Sequence, residues 1–152
     1  MSKEKLLISA CLAGENVKYD GGNNLVDEFE ILKENFELQY VCPEVQAGMV
    51  IPRLPCEITS YRPLKIENEY GIDNKDFFIE GSKIALDLAQ RLNIKYALLK
   101  SNSPSCGNEK VYDGNFNGTL IDGAGVTAKT LSDHGIKVFN ETQINELLRE
   151  IK

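Results

Sequence analysis

The stretch Leu6-Leu7-Ile8-Ser9-Ala10-Cys11-Leu12-Ala13-Gly14 decides how the rest of the chain is read. Leu6 to Ala10 form a short, largely apolar run with a glycine soon after, the pattern of a buried strand. A strand without polar alternation belongs in a parallel sheet covered on both faces, so helices should follow. Leu25, Phe29, Leu32 and Phe36 recur at three- and four-residue intervals and predict an amphipathic helix over Leu25–Phe36. Glu37–Val41 reads as the next strand. The helical period returns over Asp76–Asn93, with Phe77, Gly81, Ile84, Leu88 and Leu92 on one face. Then come a strand at Lys95–Leu99, a helix at Thr127–His134, a strand at Ile136–Phe139 and a closing helix at Gln143–Ile151. Asn140 and Gln143 have the spacing of a capping-box relative at that last helix. Residues 43–63 contain Pro43, Pro52, Pro55 and Pro63 and read mostly as loop. Residues 101–125, rich in Ser, Asn and Gly, read as loops and turns. Alternating strands and helices predict an α/β fold. We expect a single-domain, Rossmann-like three-layer sandwich over residues 1–152, its sheet mainly parallel with helices on both faces.

The composition removes several functions. The 152 residues include 17 Lys+Arg against 23 Asp+Glu, a net charge of −6 at pH 7. No basic excess exists to neutralise phosphates, which argues against intact nucleic acid or an anionic membrane as partner. No apolar run approaches the roughly 18 residues of a membrane span. Met1-Ser2-Lys3-Glu4-Lys5 lacks the apolar stretch of a secretory signal, so a reducing, cytoplasmic setting without disulfides is expected. The single histidine, His134, precedes Gly135 and reads as a residue facing the negative end of a helix. Imidazole-based catalysis has no other candidate.

Thiols are the better lead. Cys11 and Cys42 follow expected strands directly, and Cys106 lies in the loop after another. The carboxyl ends of parallel strands share one edge, where ligands bind, so these three can converge in space. Cys56, in Leu54-Pro55-Cys56-Glu57-Ile58, follows no expected strand and reads as a small buried hydrophobe. Zinc sites usually carry paired Cys-x-x-Cys or Cys/His spacings, and none is present. Thiolates without histidine leave an iron–sulfur cluster as a candidate. Three protein ligands would leave one iron of a four-iron cluster open, as a Lewis acid catalyst requires.

The motifs themselves carry a resemblance. Ser9-Ala10-Cys11-Leu12-Ala13-Gly14 and Val17-Lys18-Tyr19-Asp20-Gly21-Gly22 resemble the opening of the thiouracil desulfidase family, long catalogued as a domain of unknown function. Val41-Cys42-Pro43-Glu44-Val45 with Pro52-Arg53, then Leu99-Lys100-Ser101-Asn102-Ser103-Pro104-Ser105-Cys106-Gly107, follow in the family's order. Tyr112-Asp113-Gly114 and Gly123-Ala124-Gly125-Val126-Thr127-Ala128 complete a likeness running from about residue 6 to 141. The resemblance implies a 4Fe–4S cluster with three cysteine ligands, Cys11, Cys42 and Cys106. It implies desulfuration of a thiolated base such as 2-thiouracil, whose sulfur binds the open iron, with release of sulfide and no net redox change. Glu44 would serve in acid/base steps, and Ser103 would place substrate or water. Family members often have alanine where this chain has Cys56, and Asn74-Lys75-Asp76-Phe77 replaces their Asp-Val-Thr stretch.

Other residues have two readings. Arg53 can orient the base or pair with a loop carboxylate. Tyr19 and Asp20 can border the pocket or simply form a tight turn. Gly123 to Ala128 fits the Gly-x-Gly-x-x-Ala dinucleotide fingerprint, yet too little chain follows for a mononucleotide-binding half, so a glycine-rich helix entry is expected. Two rival functions remain at this level: a carrier that passes hydrosulfide from its cluster to an acceptor, and a structural zinc or cluster protein.

Overall fold

The computed structural model describes residues 3–151; Met1, Ser2 and Lys152, at the ends of the expected domain and signal-free terminus, lie outside the described residues. The elements run β1 (Glu4–Ser9), α1 (Phe29–Asn35), β2 (Phe36–Val41), α2 (Pro43–Gln46), β3 (Glu57–Tyr61), β4 (Leu64–Glu67) and α3 (Lys75–Arg91). They continue with β5 (Tyr96–Leu99), β6 (Lys110–Tyr112), β7 (Leu120–Asp122), α4 (Val126–Asp133), β8 (Lys137–Asn140) and α5 (Ile144–Glu150).

Four strands form one parallel sheet in the order β2-β1-β5-β8. Alternate side chains of the central strands enter different helical layers. Leu7, Ala97 and Leu99 pack with Ala85 and Ala89 of α3 and Ala128 and Leu131 of α4. Leu6, Ile8 and Leu98 pack with Leu32 of α1 and Ile144 and Leu147 of α5. Leu6, Leu7 and Ile8 are fully buried, which is why β1 carries no polar alternation. The expected three-layer α/β arrangement is therefore present.

Three local expectations need correction. The first helix begins at Phe29, not Leu25, and Phe36 already belongs to β2. Within 43–63, Pro43 starts the short helix α2, because proline is suited to a first helical turn where no backbone donor is needed. The same stretch runs into an antiparallel pair, β3 with β4, and residues 101–125 contain a second, β6 with β7. Both hairpins stand outside the main sheet. Among the described residues, no helix is long and apolar enough to cross a membrane.

The strand order fixes where a ligand can bind. From β1 the chain moves to β2 on one side; from β5 it moves to β8 on the other. The adjacent pair β1 and β5 thus flanks the switch point, and the crevice at their carboxyl ends is the favoured ligand position in such a sheet.

Candidate active site

Cys11 leaves the sheet at this crevice. Residues Ala10–Ala13 form a 3-10 turn after β1, closed by Gly14 at φ 91°, a conformation glycine adopts at no steric cost. Cys11 is buried, and Asn24 holds it twice. The Asn24 backbone N–H donates to the Cys11 carbonyl at 2.9 Å, and its Nδ2 donates to Sγ at 3.5 Å. Burial pushes the Cys11 thiol above its ordinary range; the Asn24 hydrogen bond and then the Lys100 charge pull it back, while Glu141 opposes them.

Cys42 is the N-cap residue of α2, in extended backbone geometry, and Glu44 lies in the first helical turn. The position of α2 depends on Gly81 of α3: a Cβ there would come 2.5 Å from the Pro43 carbonyl oxygen. Glu44 Oε2 accepts a hydrogen bond from Arg53 Nη2 at 3.1 Å, with side-chain exposures of 22% and 6%. Arg53 also joins the flanking loops. Its Nη2 donates to the Val17 carbonyl at 3.1 Å, its Nη1 to the Val50 carbonyl at 3.3 Å, and its backbone N–H to the Tyr19 carbonyl at 2.7 Å. Among the described residues, the buried Arg53 Nε has no hydrogen-bond partner. Burial pushes the Glu44 carboxyl up further than the guanidinium draws it down. It also pushes up Cys42, where Glu44 adds to the rise and outweighs Arg53, and Cys11 adds a smaller push.

Cys106 lies in a loop whose shape Ser103 holds. Ser103 Oγ accepts the backbone N–H groups of Ser105 at 3.0 Å and Cys106 at 3.1 Å. Burial raises the thiol to about 12; hydrogen bonds from Ser105 and Ser9 oppose that rise, and the Glu44 and Cys42 charges add to it. Helix α4 docks end-on against this loop. The Val126 N–H donates to the Pro104 carbonyl at 2.9 Å, and Thr127 and Ala128 donate to the Ser105 carbonyl at 2.8 and 3.1 Å. Gly125 permits the approach, since a Cβ there would lie 2.5 Å from the Ser105 carbonyl carbon. The glycine pattern at 123–128 therefore serves close packing, and the helix amides that would receive a phosphate are already occupied.

The structure brings Glu44 and Arg53 into contact, places Cys11 and Cys42 directly beyond the carboxyl ends of β1 and β2, and places Cys106 in the loop that follows β5. Asp20 is different: its Oδ1 accepts the Gly22 N–H at 2.9 Å, and half of the side chain is exposed. Tyr19 is 44% exposed and reaches Arg53 through its backbone carbonyl. Cys56 belongs to a satellite core with Ile58, Ile66, Phe78 and Val111, and Asn74 Nδ2 donates to its sulfur at 3.5 Å. His134 ends α4, its Nδ1 2.7 Å from the Thr130 carbonyl oxygen, as a helix-end residue should be. Among the described residues no three His, Cys, Asp or Glu side chains gather as a site for one metal ion. All four cysteines are free.

Sequence reasoning missed Asn24 and the Lys100–Glu141 pair. Lys100 is the first residue beyond β5, and its Nζ lies 2.8 Å from Glu141 Oε2. Its place directly after a strand at the ligand edge was the available signal. For Asn24, 13 residues beyond Cys11, there was none.

Comparison with known proteins identifies the family and supports the fold. The 2-thiouracil desulfurase family matches residues 6–143. A solved structure of the 4Fe–4S-dependent thiouracil desulfidase TudS superposes with a TM-score of 0.92 at 38% identity, covering 98% of each chain. The uncharacterized protein YbbK of Bacillus subtilis (strain 168) is 33% identical over 150 residues, 94% of this chain and 99% of its own. A weaker likeness, 31% over 99 residues, to the mouse mitochondrial succinate–CoA ligase (GDP-forming) β-subunit takes in 64% of this chain and 22% of that protein. It bears on a fragment only. With a family match over nearly the whole length and a desulfidase of the same fold beside it, the chain belongs to the 2-thiouracil desulfurase family of enzymes.

Proposed function

We propose that this enzyme hydrolyses the carbon–sulfur bond of a small thiolated base, 2-thiouracil or a near relative, at a 4Fe–4S cluster held by Cys11, Cys42 and Cys106. The observation that carries the reading is the set of three free thiols on segments that follow β1, β2 and β5 at the carboxyl edge of the sheet, with the part-buried Glu44–Arg53 pair directly beyond Cys42. The donor chemistry fits: soft sulfur ligands, with the one histidine engaged at the end of α4. Cys11, Cys42 and Cys106 would hold the cluster through their thiolates. When bound, the cluster supplies a soft Lewis acid that draws thiocarbonyl sulfur and makes the attached carbon more electrophilic.

The protein's own groups do the rest. Glu44 accepts a proton from water as the water oxygen bonds to the carbon, and returns it to sulfur as the carbon–sulfur bond breaks and hydrosulfide departs. The proton of the added hydroxyl then passes through Glu44 to the hydrosulfide as the carbonyl forms, so that thiocarbonyl plus water gives carbonyl plus hydrogen sulfide. Burial suits this work, because a carboxyl raised toward neutrality exchanges protons readily. Arg53 fixes the carboxylate, and its unpartnered Nε–H is a donor for an acceptor atom of the base. The Ser103 oxygen already accepts two amides, which leaves its proton for substrate or water. Tyr19 and Asp20 border the entrance. Residues 1–152 act as one domain in the cytoplasm, with a net charge of −6 favouring a free base over a nucleic acid.

The Glu44→Gln protein tests the assignment. It should keep its iron and acid-labile sulfide while kcat falls by about 10²- to 10⁴-fold, the usual contribution of a general acid–base. Unchanged kcat would remove Glu44 from the mechanism. Cys11→Ala, Cys42→Ala and Cys106→Ala should each lose the four-iron cluster; retention in any of them would break the ligand set.

A further inference from the structure

We propose that Lys100 is the positive charge that balances the cysteine edge, and that Glu141 and Ser101 are positioning residues that hold it there; this rests on the cluster reading above. Strands β1 and β5 are neighbours, with Ile8 paired to Leu98, so the Cys11 turn and Lys100 leave the sheet side by side. The Lys100 backbone N–H donates to the hydroxyl of the buried Ser9 at 3.0 Å, two residues before Cys11. Its ammonium has three donors and three acceptors: Glu141 Oε2 at 2.8 Å, Ser101 Oγ at 3.1 Å and the Ser101 carbonyl at 3.3 Å. Glu141 in turn accepts the Ser101 N–H at 2.8 Å and the Ser101 hydroxyl at 2.7 Å, tying the end of β8 to the start of the Cys106 loop. A lysine left to roam on the surface would need none of these partners.

Two ion pairs flank the cysteine-bearing segments: Glu44 of the Arg53–Glu44 pair lies two residues beyond Cys42, and Lys100 of the Lys100–Glu141 pair leaves β5 beside the Cys11 turn. Three ligand thiolates and a departing anionic sulfur concentrate negative charge here, and a fixed cation makes further negative charge easier to hold. Net charge near an iron–sulfur cluster also sets its reduction potential.

The test is the midpoint potential of the anaerobically reconstituted protein. Lys100→Met should shift it to a more negative value, Lys100→Arg should restore it, and Glu141→Gln should shift it to a more positive value. Opposite signs from the two partners of one ion pair are expected of charge and not of lost packing. Potentials that do not move, or that move in the same direction in Lys100→Met and Glu141→Gln, overturn the proposal. Should Lys100→Met fail to hold a cluster, Lys100→Arg must hold one at the wild-type potential; failure of both also overturns it. A wild-type chain that builds no four-iron cluster overturns the functional reading itself, whereas an intact cluster with unmoved potentials overturns only this inference.

Discussion

Arg53 is spent mostly on protein, which the sequence could not reveal. The sequence leaves it between substrate ligand and ion-pair partner, and the structure shows the pairing, with Glu44 and the carbonyls of Val17 and Val50 taking its terminal nitrogens. Removing one side of this part-buried pair leaves the Glu44 charge uncompensated but in reach of water, at a cost of about 1–3 kcal/mol. Arg53→Met should therefore lower the stability of the apoprotein by about that amount in urea unfolding, and Arg53→Lys should recover only part, because an ammonium cannot reproduce the planar fork. Glu141 gives a pH-dependent counterpart. Burial pushes its carboxyl up, but hydrogen bonds from Lys100 and Ser101 overcome this and hold it below the ordinary 4.5. A carboxyl lowered in the folded state contributes stability above its unfolded pKa and loses that contribution as pH falls through the folded value. Acid unfolding below pH 4.5 should accordingly be shallower in Glu141→Gln than in the wild type.

Helix α2 shows why proline-rich sequence misleads. Four prolines over residues 43–63 read as loop, yet Pro43 occupies a position where its missing donor costs nothing, and Cys42 and Glu44 owe their placement to the helix it starts. The neighbouring face of α3 was also displaced in the sequence reading. Leu88 and Leu92 pack only partly, Phe77 is 39% exposed, and the buried stripe is Phe78, Gly81, Ser82, Ala85 and Ala89. Small residues mark a face where another backbone comes close, a signal that a search for large apolar side chains passes over. Gly81→Ala should therefore force α2 away from α3, lowering stability by about 1–3 kcal/mol as overpacking does. Iron occupancy should fall with it, measured by iron and sulfide analysis after reconstitution. Gly125→Ala should act in the same direction through the Ser105 backbone.

Across the molecule, the order of strands and helices was legible because β1 and β5 are short continuous apolar runs and α3 keeps a helical spacing over its length. The placement of Cys11 and Cys42 at the carboxyl edge, with Cys106 in the loop beyond it, was legible too, since a parallel sheet has one such edge. Strand order was not. That β5 lies beside β1, making the crevice between them the switch point, follows from pairings distant in sequence, such as Leu7 with Ala97. Nor were the hairpins β3–β4 and β6–β7, whose strands are short and polar enough to read as turns. The central claim is that this edge hydrolyses a carbon–sulfur bond and does not merely store sulfur. It is tested most directly by adding 2-thiouracil to the anaerobically reconstituted protein and measuring uracil and sulfide together. Uracil and sulfide appearing in equal amounts over many turnovers is the predicted result; a four-iron cluster that forms fully and releases neither would contradict it.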